Sequence, residues 1–361
     1  MKAAILLPTL AGKDAVGNDA LAMARLLRER GIDTRVFCDV AVGVDEPTWL
    51  PAQLLAFAGG PRDLVIYHLS VGCPAALDIL KRARGFRVVR YHNITPPDFF
   101  EEYAPDYASA CARGRAEIAL VAQLGCECYL GDSHYNLDEL IERGAPATRG
   151  AVFAPLHRVE HLIETEADLG LFDELADGAR NVLMVGRVAP NKGHIELVDA
   201  FAAYVDAYDN PARLIIVGKS DPRLQGYVDN IRRRVDLHRL GSRVRWFDGV
   251  SEAQLKSVYL ASHTFMTLSQ HEGFCVPLIE AMALGVPVVA LGSSAIPETT
   301  GAGGIIWDEI DPWLYAASIA RLEADAAFRN ALRDTARLRY EQQFAPAVLR
   351  ERFFTLLEPA L

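Results

Sequence analysis

The sequence predicts an α/β protein made of two Rossmann-like, doubly wound parallel-sheet domains facing each other across a cleft. Short apolar runs without polar alternation, bounded by Gly, Pro or Asp, recur along the chain, as strands buried on both faces require. Longer segments with helical spacing separate them. The scheme starts at Lys2 and starts afresh at Asn181. The 361 residues, 51% of them hydrophobic, suit two domains of about 150 residues, each with its own core.

Lys2–Leu7 reads as the first strand. Asp19–Arg30 follows as a helix, with Leu21, Ala24, Leu26 and Leu27 on one face and a stop at Gly31. Thr34–Cys38, Leu64–Tyr67, Arg87–Tyr91 and Cys128–Leu130 are further strands, and Ala116–Gln123 is one of the helices between them. In the second half, Asn181–Val185, Ala212–Val217, Arg243–Phe247, Thr264–Leu268, Val286–Ala290 and Gly304–Ile306 are strands. Helices are expected at 193–208, 222–238, 252–260, 277–284 and 312–339. The domains then run 1–160 and 180–345, with an acidic stretch at 161–179, poor in strand formers, as linker. After a break at Pro346, a C-terminal helix over 346–361 either caps the second domain or crosses back to complete the first.

Composition excludes several classes. A net charge of -10 argues against binding nucleic acid through bulk charge. No run of 18 apolar residues appears, and the N-terminal apolar stretch is too short for a signal peptide, so a cytoplasmic location is expected. Six scattered cysteines, including Cys126 and Cys128 one residue apart, lack zinc-knuckle spacing and read as reduced, mostly buried thiols. No Asp-x-Asp occurs, so no metal clamp is expected. No Gly-x-Gly-x-x-Gly follows the first strand, and Gly218-Lys219-Ser220 lacks the upstream glycine of a P-loop. The apolar and basic mixture in Leu77–Arg87 fits an ordinary helix with a solvated face better than contact with an anionic membrane surface.

Two segments carry chemistry. In Val185-Gly186-Arg187-Val188-Ala189-Pro190-Asn191-Lys192-Gly193, a strand ends and a helix begins. Arg187 and Lys192 there place two cations beside a helix N-terminus, an arrangement suited to a diphosphate. In His271-Glu272-Gly273-Phe274-Cys275-Val276-Pro277 and onward to Ala290, Pro277 suits a helix start and Gly285 its stop. Glu272 in the loop and Glu280 in the helix offer carboxylates able to accept paired hydroxyl hydrogen bonds from a hexose or a ribose.

These two segments, about 80 residues apart, resemble the retaining glycosyltransferases of family 4, of the GT-B fold. The most specific part of the resemblance spans 181–300, and weaker likeness covers nearly all of the chain. The resemblance implies that Arg187 and Lys192 hold the donor diphosphate and that Glu280 binds the ribose. Glu272 then binds the donor sugar, with backbone amides of Phe274, Cys275 and Val276 helping. Val250 meets the base through its backbone. Many members carry Gly where this chain has Cys275, which puts the local backbone conformation in question. In Val16-Gly17-Asn18-Asp19, Gly17 is implied to approach the phosphates, and Asn18 or Asp19 is expected to cap the following helix. A histidine near the donor sugar is implied at the end of the Arg87–Tyr91 strand; His92 is favoured, with His68 as the competitor. Asn93 and Thr95 are weaker candidates for substrate contacts.

The function so implied is metal-independent hexosyl transfer, with retention, from a nucleotide-diphosphate sugar to a glycan or lipid-linked acceptor. Such a reaction serves polysaccharide or glycoconjugate synthesis. No cofactor is expected beyond the sugar nucleotide, and peripheral contact with a membrane stays open through the first domain. A nucleotide-sugar 2-epimerase of the same architecture is the alternative.

Overall fold

The structure, a computed structural model, describes residues 1–12, 14–208 and 211–361. Its strands in chain order are β1 (Lys2–Leu6), β2 (Thr9–Ala11), β3 (Asp33–Phe37), β4 (Val40–Val42), β5 (Thr48–Trp49), β6 (Leu64–Leu69), β7 (Phe86–Tyr91), β8 (Cys128–Gly131) and β9 (Gly150–Val152). They continue as β10 (Arg180–Val185), β11 (Ala212–Val217), β12 (Val244–Phe247), β13 (Thr264–Thr267), β14 (Val288–Leu291) and β15 (Gly304–Trp307). Two compact units result. One comprises Met1–Glu101, Pro105–His157 and Pro346–Leu361; the other comprises Glu102–Ala104 and Arg158–Ala345.

The first unit holds a seven-stranded sheet in the order β5-β3-β1-β6-β7-β8-β9, and β2 pairs with β4 beside it. All pairings are parallel. The helix Ala15–Glu29 begins with Asp14, whose carboxylate accepts from the Gly17 amide at 3.3 Å. Asp14, rather than Asn18 or Asp19, is therefore the cap. Asp19 lies inside the helix and is fully buried. Gly17 packs so closely that a Cβ there would stand 2.3 Å from the Ala11 carbonyl oxygen, which leaves room only for glycine. The helix Pro346–Leu357 belongs to this unit, with Leu349, Phe353 and Leu357 buried and the Phe353 ring 5.9 Å from that of Phe153.

The second unit is a six-stranded parallel sheet in the order β12-β11-β10-β13-β14-β15. Strand residues alternate between two apolar clusters. Val182, Met184, Leu214, Ile216 and Met266 enter one, while Leu183, Ile215, Val217 and Phe265 enter the other. Successive side chains leave a strand on opposite faces, so this division explains why the runs carry no polar alternation. Each fully buried aliphatic side chain contributes roughly 1.5–3 kcal/mol.

Two expectations are corrected. The 161–179 stretch is not an open linker. It carries the helices Val159–Glu164 and Leu169–Leu175, and Leu162, Leu171 and Leu175 join the second unit's core. These segments are too short and acidic for a strong periodic signal, and burial of a few leucines decides their structure. The single helix at 312–339 is two, Pro312–Ala324 and Ala326–Arg339, because the Asp325 carboxylate accepts from the Phe328 amide at 2.9 Å and caps the second. In the Leu77–Arg87 run, the helix Pro74–Arg82 buries Ala76, Ile79 and Leu80, and Arg82 pairs with Asp78 on the solvated side.

Candidate functional site

The residues singled out in the sequence fall in both units. In the second unit, Gly186 follows β10, and its amide donates to the Val217 carbonyl at 2.9 Å. Arg187 is exposed, and its charge helps hold the Asp221 carboxyl below its ordinary range, behind the larger contribution of Arg223. One turn of 3-10 helix, Pro190–Lys192, leads to Gly193, whose φ of 67° lies in the left-handed region. A Cβ on Gly193 would sit 2.0 Å from the Leu268 carbonyl oxygen, so only glycine brings this turn against the end of β13.

That close approach joins the two chemically rich segments. Lys192 Nζ lies 2.6 Å from Glu272 Oε1, across 80 positions of sequence. Ser269 Oγ also donates to Glu272 Oε1, at 2.8 Å, and the Glu272 amide donates to Ser294 Oγ at 2.7 Å. Asn191 Nδ2 donates to the His271 carbonyl at 3.0 Å, and the Gln270 amide donates to the Asn191 carbonyl at 2.8 Å. The loop bearing Glu272 is thus pinned from three sides, with its carboxylate held against an ammonium.

The helix Val276–Ala283 starts at Cys275, which has φ 73° and ψ 74°. A position where glycine is common elsewhere here holds cysteine in glycine's own backbone region. The side chains of Phe274 and Cys275 are buried; the Phe274 ring packs on Phe344 at 5.4 Å, and Cys275 enters the core. Burial pushes the Cys275 thiol well up, and the negative charge of Glu272 adds to that, so it is no nucleophile at neutral pH. Val276 is half-buried in the first turn. Glu280 lies half-buried one turn on, accepting from Tyr259 Oη at 2.7 Å; burial raises its carboxyl pKa, and the tyrosine partly offsets that rise. Val250 follows Gly249 (φ 89°), and its half-buried side chain packs against the core.

In the first unit, His68 lies within β6 rather than at its end, and its register partner in β7 is Arg90. His68 is fully buried; burial, then the neighbouring His92 and Arg90, lower its pKa well below the ordinary value. His92 follows β7, and its side chain is only 3% exposed. Its Nε2 is 2.8 Å from His68 Nδ1, and its Nδ1 is 3.1 Å from Asp132 Oδ2. The sequence expected His92 and His68 to compete for one role; the structure couples them. Asn93, next in line, has φ 71°. Sequence reasoning missed Asp132, Arg90, Ser269 and Tyr259. Asp132 carried a usable signal, since it stands directly after an apolar strand, where parallel sheets present functional groups.

All six cysteines are free and buried. Among the described residues, no helix is long and apolar enough to cross a membrane. Asp19, His68 and His92 are close enough together to hold a metal ion. However, Arg90 Nε already donates to the same Asp19 oxygen at 2.9 Å, which sets a fixed positive charge against any cation there.

Residues 172–339 match the family model described as glycosyl transferases group 1. Among curated proteins, the O-antigen chain mannosyltransferase B of Escherichia coli is 35% identical over 87 residues, covering 24% of this chain and 23% of that protein. The mannosylfructose-phosphate synthase of Agrobacterium fabrum is 25% identical over 189 residues (48% of this chain, 40% of that one). A D-inositol 3-phosphate glycosyltransferase of Corynebacterium efficiens is 32% identical over 151 residues (41% and 35%). The chain thus spans well under half the length of these relatives. Solved structures match over almost the whole fold. HepE of Anabaena, solved in complex with UDP, aligns with TM-score 0.77 at 16% identity over 99% of this chain and 100% of that one. Sucrose-phosphate synthase of Thermosynechococcus elongatus aligns with TM-score 0.74 at 19% identity, covering 99% of each. Residues 172–339 therefore belong to the glycosyl transferases group 1 family, and the chain that carries them has the GT-B fold.

Proposed function

We propose that this protein is a retaining, metal-independent glycosyltransferase that takes a hexosyl group from a nucleotide-diphosphate sugar and gives it to an acceptor hydroxyl. The observation that carries this reading is the apposition of Lys192 and Glu272 at 2.6 Å, past the ends of parallel strands β10 and β13. A cation for phosphate and a carboxylate for sugar hydroxyls stand side by side, as a sugar joined to a diphosphate requires. HepE, which shares the fold, was solved with UDP-glucose, and several relatives are mannosyltransferases.

On this reading the second unit binds the donor and the first binds a glycan or lipid-linked acceptor. Glu280 takes the ribose, and Val250 meets the base through its backbone. Arriving diphosphate draws Lys192 away from Glu272, and the freed carboxylate turns to the sugar hydroxyls. Arg187, Lys192 and the amides of Phe274, Cys275 and Val276 at a helix N-terminus offset the charge that develops on the leaving diphosphate. The acceptor hydroxyl attacks from the face the diphosphate leaves, and a departing phosphate oxygen takes its proton. His92 supports the donor sugar, and Gly17 allows close backbone approach to the phosphates.

A panel of UDP-, GDP- and ADP-sugars read by thermal shift identifies the donor, because a ligand that binds the folded state raises its melting temperature. With that donor, Lys192→Ala and Glu272→Ala each lower transfer by about 100-fold or more. The anomeric proton of the product shows retention by NMR, and EDTA leaves the rate unchanged. Inversion, loss of activity in EDTA, or a glycosyl adduct on Glu272 in mass spectra each refutes the corresponding part of the reading.

A further inference from the structure

Five ionisable side chains of the first unit form one buried chain. The side chains of Asp19, His68 and Arg90 are fully buried, and those of His92 and Asp132 are 3% and 7% exposed. Arg90 joins both acids: its Nε donates to Asp19 Oδ2 at 2.9 Å, and its NH2 nitrogen lies 2.7 Å from Asp132 Oδ1. Its other terminal nitrogen donates to the Phe153 carbonyl at 2.6 Å. Asp19 Oδ1 accepts from the Leu156 amide at 2.7 Å. The two carboxylates are thereby fixed in place, and Asp132 Oδ2 is left directed at His92 Nδ1, 3.1 Å away.

A carboxylate only accepts hydrogen bonds, so the proton of that contact belongs to Nδ1 of His92. A neutral ring protonated there has a bare acceptor at Nε2. His68 Nδ1, 2.8 Å from that nitrogen, then donates to it. The far nitrogen of His68, Nε2, is buried without a hydrogen-bond partner, which suits a bare acceptor better than an N–H.

We propose that Asp132 is a positioning residue for His92. It fixes the Nδ1-protonated tautomer so that Nε2 is presented as an acceptor. In this structure that acceptor is engaged by His68 Nδ1 at 2.8 Å, inside the core of the first unit. The inference rests on the reading of His92 as a sugar-facing residue, and it adds the group that sets the tautomer of that ring. Arg90 and Asp19 serve it by keeping the Asp132 carboxylate in place.

The tautomer is read directly from long-range proton–nitrogen correlation spectra of full-length protein labelled with nitrogen-15 in histidine. His92 should show a protonated Nδ1 and a bare Nε2. Asp132→Asn should mix or reverse the tautomers. It should lower kcat for turnover of UDP-glucose or GDP-mannose by about 10- to 100-fold, with the donor KM within about two-fold. Asp132→Glu should recover part of the loss. A wild-type His92 protonated at Nε2 overturns the proposal whether or not any variant folds. Undiminished kcat in Asp132→Asn overturns it too, provided His92→Ala is impaired. If His92→Ala itself turns over normally while the wild-type tautomer is as stated, the sugar-facing reading of His92 fails, and the tautomer assignment stands. Zinc added to the wild type that shifts both ring signals at equimolar metal replaces the hydrogen-bonded pair with a metal site and also overturns it.

Discussion

Arg90→Met tests whether the buried network is held together by charge. Arg90 is fully buried and sits between two acids, 2.9 Å from Asp19 and 2.7 Å from Asp132. Methionine keeps much of the side-chain volume but removes the cation. Two carboxylates are then buried with no cation between them, and breaking such a pair costs about 3–5 kcal/mol. The first unit contains about 170 residues. At that size each kcal/mol moves the melting temperature by about 2–4 °C, so its transition should fall by about 6–20 °C. Differential scanning calorimetry measures the shift, and hydrogen exchange on 64–69 and 86–91 shows that the loss lies in β6 and β7. Neutralising the acids as well, in Asp19→Asn/Arg90→Met/Asp132→Asn, should recover at least about half of the loss, because the penalty comes from unpaired charge. A cost below about 1 kcal/mol for Arg90→Met, or a triple variant as unstable as the single, would refute the electrostatic account.

Three further outcomes follow from local geometry. At Cys275, relief of a left-handed backbone, worth about 1–2 kcal/mol, is set against glycine's extra chain entropy and the lost burial of a small side chain. Cys275→Gly should therefore leave urea stability within about 1 kcal/mol of wild type, while Cys275→Val, branched at the same φ, should cost clearly more. Gly17→Ala would drive a methyl to 2.3 Å from the Ala11 carbonyl oxygen and should destabilise by about 1–3 kcal/mol in the same assay. Burial, with a smaller push from the Lys192 charge, takes buried His194 down to about 3. The unfolded chain binds that proton near pH 6.5 and the native one does not, so stability is intact above about pH 6.5 and falls as pH drops toward about 3. The slope reaches at most about 1.4 kcal/mol per pH unit. His194→Gln should flatten it when unfolding is followed through Trp246, Trp307 and Trp313, which report on the second unit.

Much of the fold is written locally. β10, β11 and β13 are apolar runs because both sheet faces are covered, and Pro277 and Gly285 mark the ends of one helix by residue type alone. The short strands β2, β4, β5 and β9, of two or three residues each, leave no periodic trace, since pairing with a neighbour defines them. Lys192 and Glu272 were legible because each stands in a turn whose glycine and helix start constrain it. The buried network of the first unit was not. Its hydrogen bonds join positions 71, 40 and 24 apart, and nothing local to Asp132 or Arg90 says which acid meets which base. His92 was found by its place after a strand, while the engagement of both its ring nitrogens depends on two other segments. The cap of the first helix shows the same limit at short range. Asp14, Asn18 and Asp19 are all competent residues, and the burial of Asp19 against Arg90 settles which is left to cap.

The return of Pro346–Leu357 to the first unit has a consequence for synthesis on the ribosome. The chain emerges from its amino end, so the apolar patch that awaits Leu349, Phe353 and Leu357 stays uncovered while all of Arg158–Ala345 is translated. The unit begun first is finished last, and the second unit is the one able to fold as it appears. A chain ending just short of Pro346 and released from the ribosome should accordingly expose its first half to proteases and chaperones while its second half is already resistant.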